Sequence, residues 1–127
     1  MYKELIISIT IIISLFLLDK VTEKYLIESV EELTKGLNQV NEKIEIGEKE
    51  QQIKEIEEIT ENWNIRYEKL AYYIEHDELE KVKTKLVNIK SNIESEEEGD
   101  AKQNTDEAIY LLEHIKDKNN LDLKDIF

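Results

Sequence analysis

Between Leu5 and Leu18 the chain reads LIISITIIISLFLL, with no charge and no side-chain amide. A helix built from this run is apolar all round, so it cannot lie on the surface of a small domain with one face to water. Ser8, Thr10 and Ser14 fit within it, because their hydroxyls can bond to carbonyls one turn back. Isoleucine on every side would need a much larger protein to cover it than the rest of this chain provides. The run therefore reads as a bilayer segment. At about 1.5 Å per residue it spans roughly 21 Å, less than the roughly 30 Å of a hydrocarbon core. Met1, Tyr2 and Val21 lengthen it, and Lys3 and Lys20 can extend to the two headgroup layers. Tyr2 and Tyr25 fall where interfacial aromatics sit.

Three alternatives compete with an uncleaved anchor. A cleaved signal peptide needs small residues ahead of the cut, whereas here Phe16, Leu17 and Leu18 lead straight into Asp19. A lipoprotein anchor needs a cysteine, and the chain has none. A buried core helix would need the larger covering already described. The division expected is a membrane anchor over residues 1–19 and an acidic helical domain over 20–127, with the bilayer contacted through residues 5–18. The terminal amine and Lys3, opposed by Glu4, face Lys20, Lys24 and Lys35 set among acids, so charge asymmetry barely sets the orientation. The short N-terminal tail favours that terminus in the cytoplasm and the body on the extracytoplasmic side.

Residues 1–18 contribute one lysine and one glutamate, so the net charge of −13 resides in residues 19–127. Such a charge opposes binding to nucleic acid or anionic lipid, both polyanions. Without cysteine there are no disulfides, thiolate metal sites or thiol catalysis. No proline, three glycines and abundant Glu, Lys, Ile and Leu describe long helices. About 108 residues suffice for one domain with a modest core.

The apolar residues of the body recur at spacings of three and four, the seam of a helix packed on other helices. The first series is Leu26, Val30, Leu33, Leu37, Val40 and Ile44, with Gly36 as a soft point inside it. Its rhythm would continue at Gly47, Gln51 and Lys54, but the apolar residues are Ile53, Ile56, Trp63, Tyr67, Leu70 and Ile74, with Thr60 filling one place. The phase slips at Gly47, which predicts a turn there; a stutter in one long helix is the alternative. A second slip at His76-Asp77 predicts a third helix with Asp77 as N-cap and Glu80 completing a capping box. Its seam is Leu79, Val82, Leu86, Ile89 and Ile93. The run ESEEEGD, Glu94–Asp100, reads as a solvated loop. A fourth helix is expected from Asn104 or Thr105, carrying Ala108, Leu111, Leu112 and Ile115 and ending by Asn119-Asn120. Leu121, Leu123, Ile126 and Phe127 would then form a strap packed on the bundle. The fold class expected is all-α: one N-terminal membrane-anchor helix followed by an antiparallel three- to four-helix bundle. A second copy could complete the seams instead, as a homo-oligomer.

The two histidines match no metal pattern. Residues three before His76 and His114 are Tyr73 and Leu111, so the Glu-x-x-His pairs of di-iron bundles are missing, as is H-E-x-x-H. The acidic run lacks the spacing of a calcium loop. No serine or threonine has a recognisable activating partner, no glycine-rich phosphate loop exists, and no carboxylate pair stands out. No catalytic residue, metal or cofactor is predicted. Trp63 occupies a seam position, as a core anchor or as an aromatic hot spot for a partner. Tyr72 and Tyr73 cannot both face one core, so one of them is expected outside.

The segments from Trp63 through YYIEHDELEKVKTKL, the Leu112-Glu113-His114 step and the terminal Ile126-Phe127 resemble a family of small Firmicutes proteins, domain of unknown function 4363. The resemblance implies an N-terminal hydrophobic anchor, a helical body of this length and a bacterial envelope setting. It implies no activity. The leading expectation is an anchored interaction module with a protein partner, using a surface that includes Tyr72, His76, Tyr110 and His114. The alternative is an extracytoplasmic ligand- or cation-binding domain built on the histidines and nearby carboxylates.

Overall fold

The computed structural model describes residues 2–44 and 46–126, with side chains described as far as residue 119. Four helices run in order: α1 (Tyr2–Ile44), α2 (Lys49–Leu70), α3 (His76–Glu94) and α4 (Glu98–Ile126). Each packs on its neighbours in sequence, and α4 closes the ring against α1. Side-chain bridges fix the antiparallel sense. Tyr73 meets Thr22 while Lys43 meets Glu55. Tyr67 meets Glu80 while Lys90 meets Glu57. Lys118 meets Glu78 while Asn104 meets Asn92. The result is an up-down-up-down bundle.

The seams meet in its centre. All six residues of the first series are buried, as are Ile56, Trp63 and Leu70 of α2, the five residues of the α3 seam, and Ala108, Leu112 and Ile115 of α4. Ile53, Tyr67 and Leu111 are half-buried against this core.

The helix α1 is continuous across the junction that composition suggests. Its first part is long and apolar enough to cross a membrane, and its large apolar side chains from Leu5 to Leu18 remain 45–61% exposed. Ser8, Thr10 and Ser14 donate to carbonyls four residues back, at 2.7–2.9 Å. Burial begins at Leu26, where the same helix enters the bundle.

The turn at Gly47 occurs where the phase slips, with the glycine at φ +75°, so the single-helix alternative does not hold. Gly36 is explained by packing: an added Cβ would lie 3.2 Å from the Ile59 side chain. The glycine that weakens α1 thus lets α2 approach closely.

Three boundaries differ from expectation. First, α3 begins one residue before Asp77, with Glu75 as an N-cap that makes no side-chain cap bond. Asp77 lies in the first turn, where a carboxylate faces the positive end of the helix dipole, and Glu80 bonds to Tyr67 instead. Second, α4 opens at Glu98, not at Asn104 or Thr105. Glu98 and Asp100 are first-turn residues stabilised by the same dipole, so only part of the acidic run is loop. Ala101 and Thr105 extend the seam, and the buried Thr105 hydroxyl donates to the Ala101 carbonyl at 2.7 Å. Third, α4 continues to Ile126. The helix thus runs past Asn119-Asn120 through Leu121, Leu123 and Ile126; the packing expected of these side chains, and Phe127, lie outside the described residues.

The α3–α4 turn holds Glu96 at φ +59°. Glu97 N–H bonds to the Asn92 carbonyl at 2.9 Å and Glu96 N–H to that of Ile93 at 3.1 Å. This is a Schellman ending, in which glycine normally takes the left-handed position. Glu96→Gly is expected to stabilise the bundle by roughly 1 kcal/mol, the order of the left-handed penalty for a residue with a Cβ. Urea unfolding checks this, and an unchanged or lower midpoint would contradict it.

Candidate functional site

The α2–α3 connection stands at the end of the bundle where α1 emerges from its apolar stretch. Tyr73 packs against the core, and its hydroxyl donates to the Thr22 carbonyl at 3.2 Å. Burial, with Tyr25 nearby, pushes its phenol up to about 12. Its neighbour Tyr72 points the other way and is 90% exposed. One tyrosine of the pair is thus inside and one outside, as steric reasoning requires.

His76, at the start of α3, turns toward α2. Its Nδ1 lies 2.7 Å from the Tyr67 hydroxyl, which is 2.8 Å from Glu80 Oε1. A phenol carries one proton. If that proton goes to Glu80, His76 Nδ1–H donates to the phenol oxygen, and all three groups are satisfied. Desolvation first, then the Glu80 carboxylate, raises the Tyr67 pKa.

A second polar cluster joins α2 to α1, and sequence reasoning missed it. Arg66 is the only arginine in the chain. Its Nε donates to Asn62 Oδ1 and its Nη1 to Ser29 Oγ, both at 2.8 Å, while Nη2 pairs with Glu32. The guanidinium also lies 5.6 Å from the centre of the Tyr25 ring. Ser29 is fully buried, and its hydroxyl donates a hydrogen bond to the Tyr25 carbonyl at 2.7 Å. A planar fork with five donors suits such a site better than a lysine would. The signal available in sequence was the choice of a single arginine among sixteen lysines.

Tyr110 and His114 stack on the outer face of α4, with ring centres 6.2 Å apart and planes 15° from parallel. Tyr110 is 69% exposed. Lys118, which pairs with Glu75 and Glu78, is eight residues beyond Tyr110, roughly 12 Å along the helix. The four candidate surface residues therefore fall into two places: Tyr72 and His76 at the base, Tyr110 and His114 higher on α4. The two histidines are engaged with different neighbours, and no group of three metal-ligating side chains comes together among the described residues. At the opposite end, a polar cleft of about 320 Å³ lies between the two turns, lined by residues including Lys49, Gln52, Asn92 and Glu97.

The model of DUF4363, a domain of unknown function, matches residues 21–126, the whole bundle from the end of the apolar stretch. The chain belongs to the DUF4363 family. No curated protein and no solved structure matches it. The DUF4363 match includes Trp63, the Tyr67–His76–Glu80 triad, the Arg66 cluster and the Tyr110–His114 pair.

Both phenols at the base make stability depend on alkaline pH. Each has a pKa above the ordinary value of 10, so the folded chain resists their ionisation more than the unfolded chain does. That contribution is complete below pH 10 and is lost as pH rises, through about 12 for Tyr73. Thermal melts between pH 8 and 12 are expected to show a progressive loss above pH 10. Tyr73→Phe should be less stable at pH 8, lacking the bond to Thr22, yet decline less steeply. An equal slope in both proteins would remove Tyr73 as a cause.

Proposed function

We propose that this chain is a membrane-anchored, non-enzymatic interaction module of the bacterial envelope, inserted through residues 5–18, with its N-terminus in the cytoplasm and its acidic bundle outside. One observation carries the reading: a single unbroken helix of 43 residues exposes its apolar first part on all sides and packs its second part into a polar-surfaced bundle. An exposed all-apolar helix in water is costly, whereas in lipid it is the normal state. Tethering confines the bundle to two dimensions and lowers the affinity a partner needs.

The surface proposed for a protein partner centres on Tyr110 and His114, the aromatic pair stacked on the outer face of α4. Aromatic side chains of this kind supply large contact area at low entropy cost. A topology reporter fused after Phe127 should be active only outside the cytoplasm. Capture from solubilised membranes should retrieve a specific protein with the wild type and lose it with a Tyr110→Ala, His114→Ala variant of unchanged melting temperature. A reporter active inside, or no specific partner together with a strictly monomeric body, would count against the proposal.

A further inference from the structure

We infer that the α2–α3 turn is a lipid-contacting foot: Tyr72 inserts into the headgroup layer around α1 and holds the bundle upright on the bilayer. The inference rests on the anchor reading above. Three observations lead to it.

The first is height. The Tyr73 hydroxyl bonds to the Thr22 carbonyl at 3.2 Å, which ties the turn to a fixed level of α1. Thr22 lies four residues after Leu18, roughly 6 Å along the axis. One headgroup layer is about that deep, since it accounts for half the difference between a bilayer of about 40–45 Å and its core of about 30 Å. With the edge of the hydrocarbon between Leu18 and Val21, Thr22 lies about 1.5–6 Å beyond it, and the turn lies within the headgroups.

The second is the side chain presented there. Tyr72 is 90% exposed while Tyr73 beside it faces inward. A phenol is apolar in its ring and polar at its tip, which is why tyrosine collects at membrane interfaces. The apolar surface of the ring has no cover within the bundle, and α1 brings a bilayer to its level.

The third is local charge. The net charge of −13 argues against an anionic surface, but the base is mixed. Lys20, Lys24, Lys69 and Lys118 accompany Asp19, Glu23, Glu75, Asp77 and Glu78, a slight excess of acid, and the Lys69 ammonium lies 5.3 Å from the Tyr25 ring centre. Such a surface fits zwitterionic headgroups and needs no anionic lipid. The foot would set the tilt of the bundle and so the height at which Tyr110 and His114 are presented.

The absence of cysteine allows a direct test on the full chain. Ser14→Cys, Tyr72→Cys and Ile46→Cys are made singly, labelled with a nitroxide and reconstituted in phosphatidylcholine vesicles. Ile46, in the turn at the opposite end of the bundle, is 83% exposed and serves as the solvent reference. The label at position 72 should collide with a water-soluble nickel chelate severalfold less often than the label at 46, and its depth should lie at headgroup level. Equal collision at 72 and 46, with the label at 14 in hydrocarbon, would overturn the foot and leave the anchor standing. A label at 14 outside the hydrocarbon would overturn the anchor and the foot with it. Shielding at 72 that brings dipolar broadening increasing with protein density would assign the cover to a second copy, and also overturn the inference.

Discussion

Trp63→Ala is expected to lower the stability of the bundle by about 3–5 kcal/mol, the usual cost of removing a buried large aromatic. Trp63 is 1% exposed, belongs to the continuous core, and meets the edge of the Tyr67 ring at 6.3 Å between centres. Small domains have only about 5–15 kcal/mol in total, so the variant should be close to unfolding at ambient temperature. The indole Nε1 is buried with no hydrogen-bond partner among the described residues. An unpaired buried donor costs roughly 1–3 kcal/mol. Trp63→Phe removes that donor along with some volume, so the two effects oppose each other and its loss should be well under that of alanine. Urea unfolding followed by circular dichroism measures both. A loss below about 1 kcal/mol for Trp63→Ala would be too small for a core anchor and would favour the reading of Trp63 as an interface residue.

The packing of the body was legible because the seam is made of residues with one physical use. Leu26 through Ile44 and Leu79 through Ile93 are aliphatic at every step, and nothing competes with burial for them. The turn at Gly47 was legible because a phase slip coincided with a residue suited to positive φ. The start of α4 was not, because Glu98, Gly99 and Asp100 have the composition of a loop and the conformation of a first helical turn. The dipole that stabilises Glu98 and Asp100 there leaves no trace in hydropathy. Thr105 is hidden for a related reason: its hydroxyl bonds to its own helix, so a polar residue fills a core position. The capping pattern fits at Asp77, but Tyr67 takes Glu80 from the other side and the helix starts one residue earlier. The polar clusters were the least legible, since Ser29, Glu32, Asn62 and Arg66 come from two helices running in opposite directions and show no common spacing. Sequence places one of Tyr72 and Tyr73 outside and puts Tyr72 and Tyr110 on one expected surface, but only the folding of α2 and α4 separates them along the bundle.

Deleting residues 2–19 is expected to move the chain from a carbonate-resistant membrane fraction to the aqueous fraction while leaving the unfolding of the bundle nearly unchanged. The two halves of this prediction draw on different parts of α1. The large apolar side chains between Leu5 and Leu18 are all at least 45% exposed, and each Leu, Ile or Phe transferred fully from water to an apolar phase contributes about 1.5–3 kcal/mol. Eleven such residues amount to a transfer term that no reversible surface contact supplies. Burial in the core, by contrast, begins only at Leu26, six residues beyond the first one retained. The backbone carbonyl that accepts from Tyr73 belongs to Thr22 and is also kept. The truncated helix would begin at Lys20, and fraying of its first turn reaches Tyr25 weakly, so the melting temperature should change little. Loss of cooperative unfolding would show that the apolar segment belongs to the core after all. A truncated chain still resistant to carbonate would place membrane attachment elsewhere in the molecule. Intact mass of the full chain from membranes separates the remaining alternative: a permanent anchor retains residues 1–19, and a cleaved signal does not.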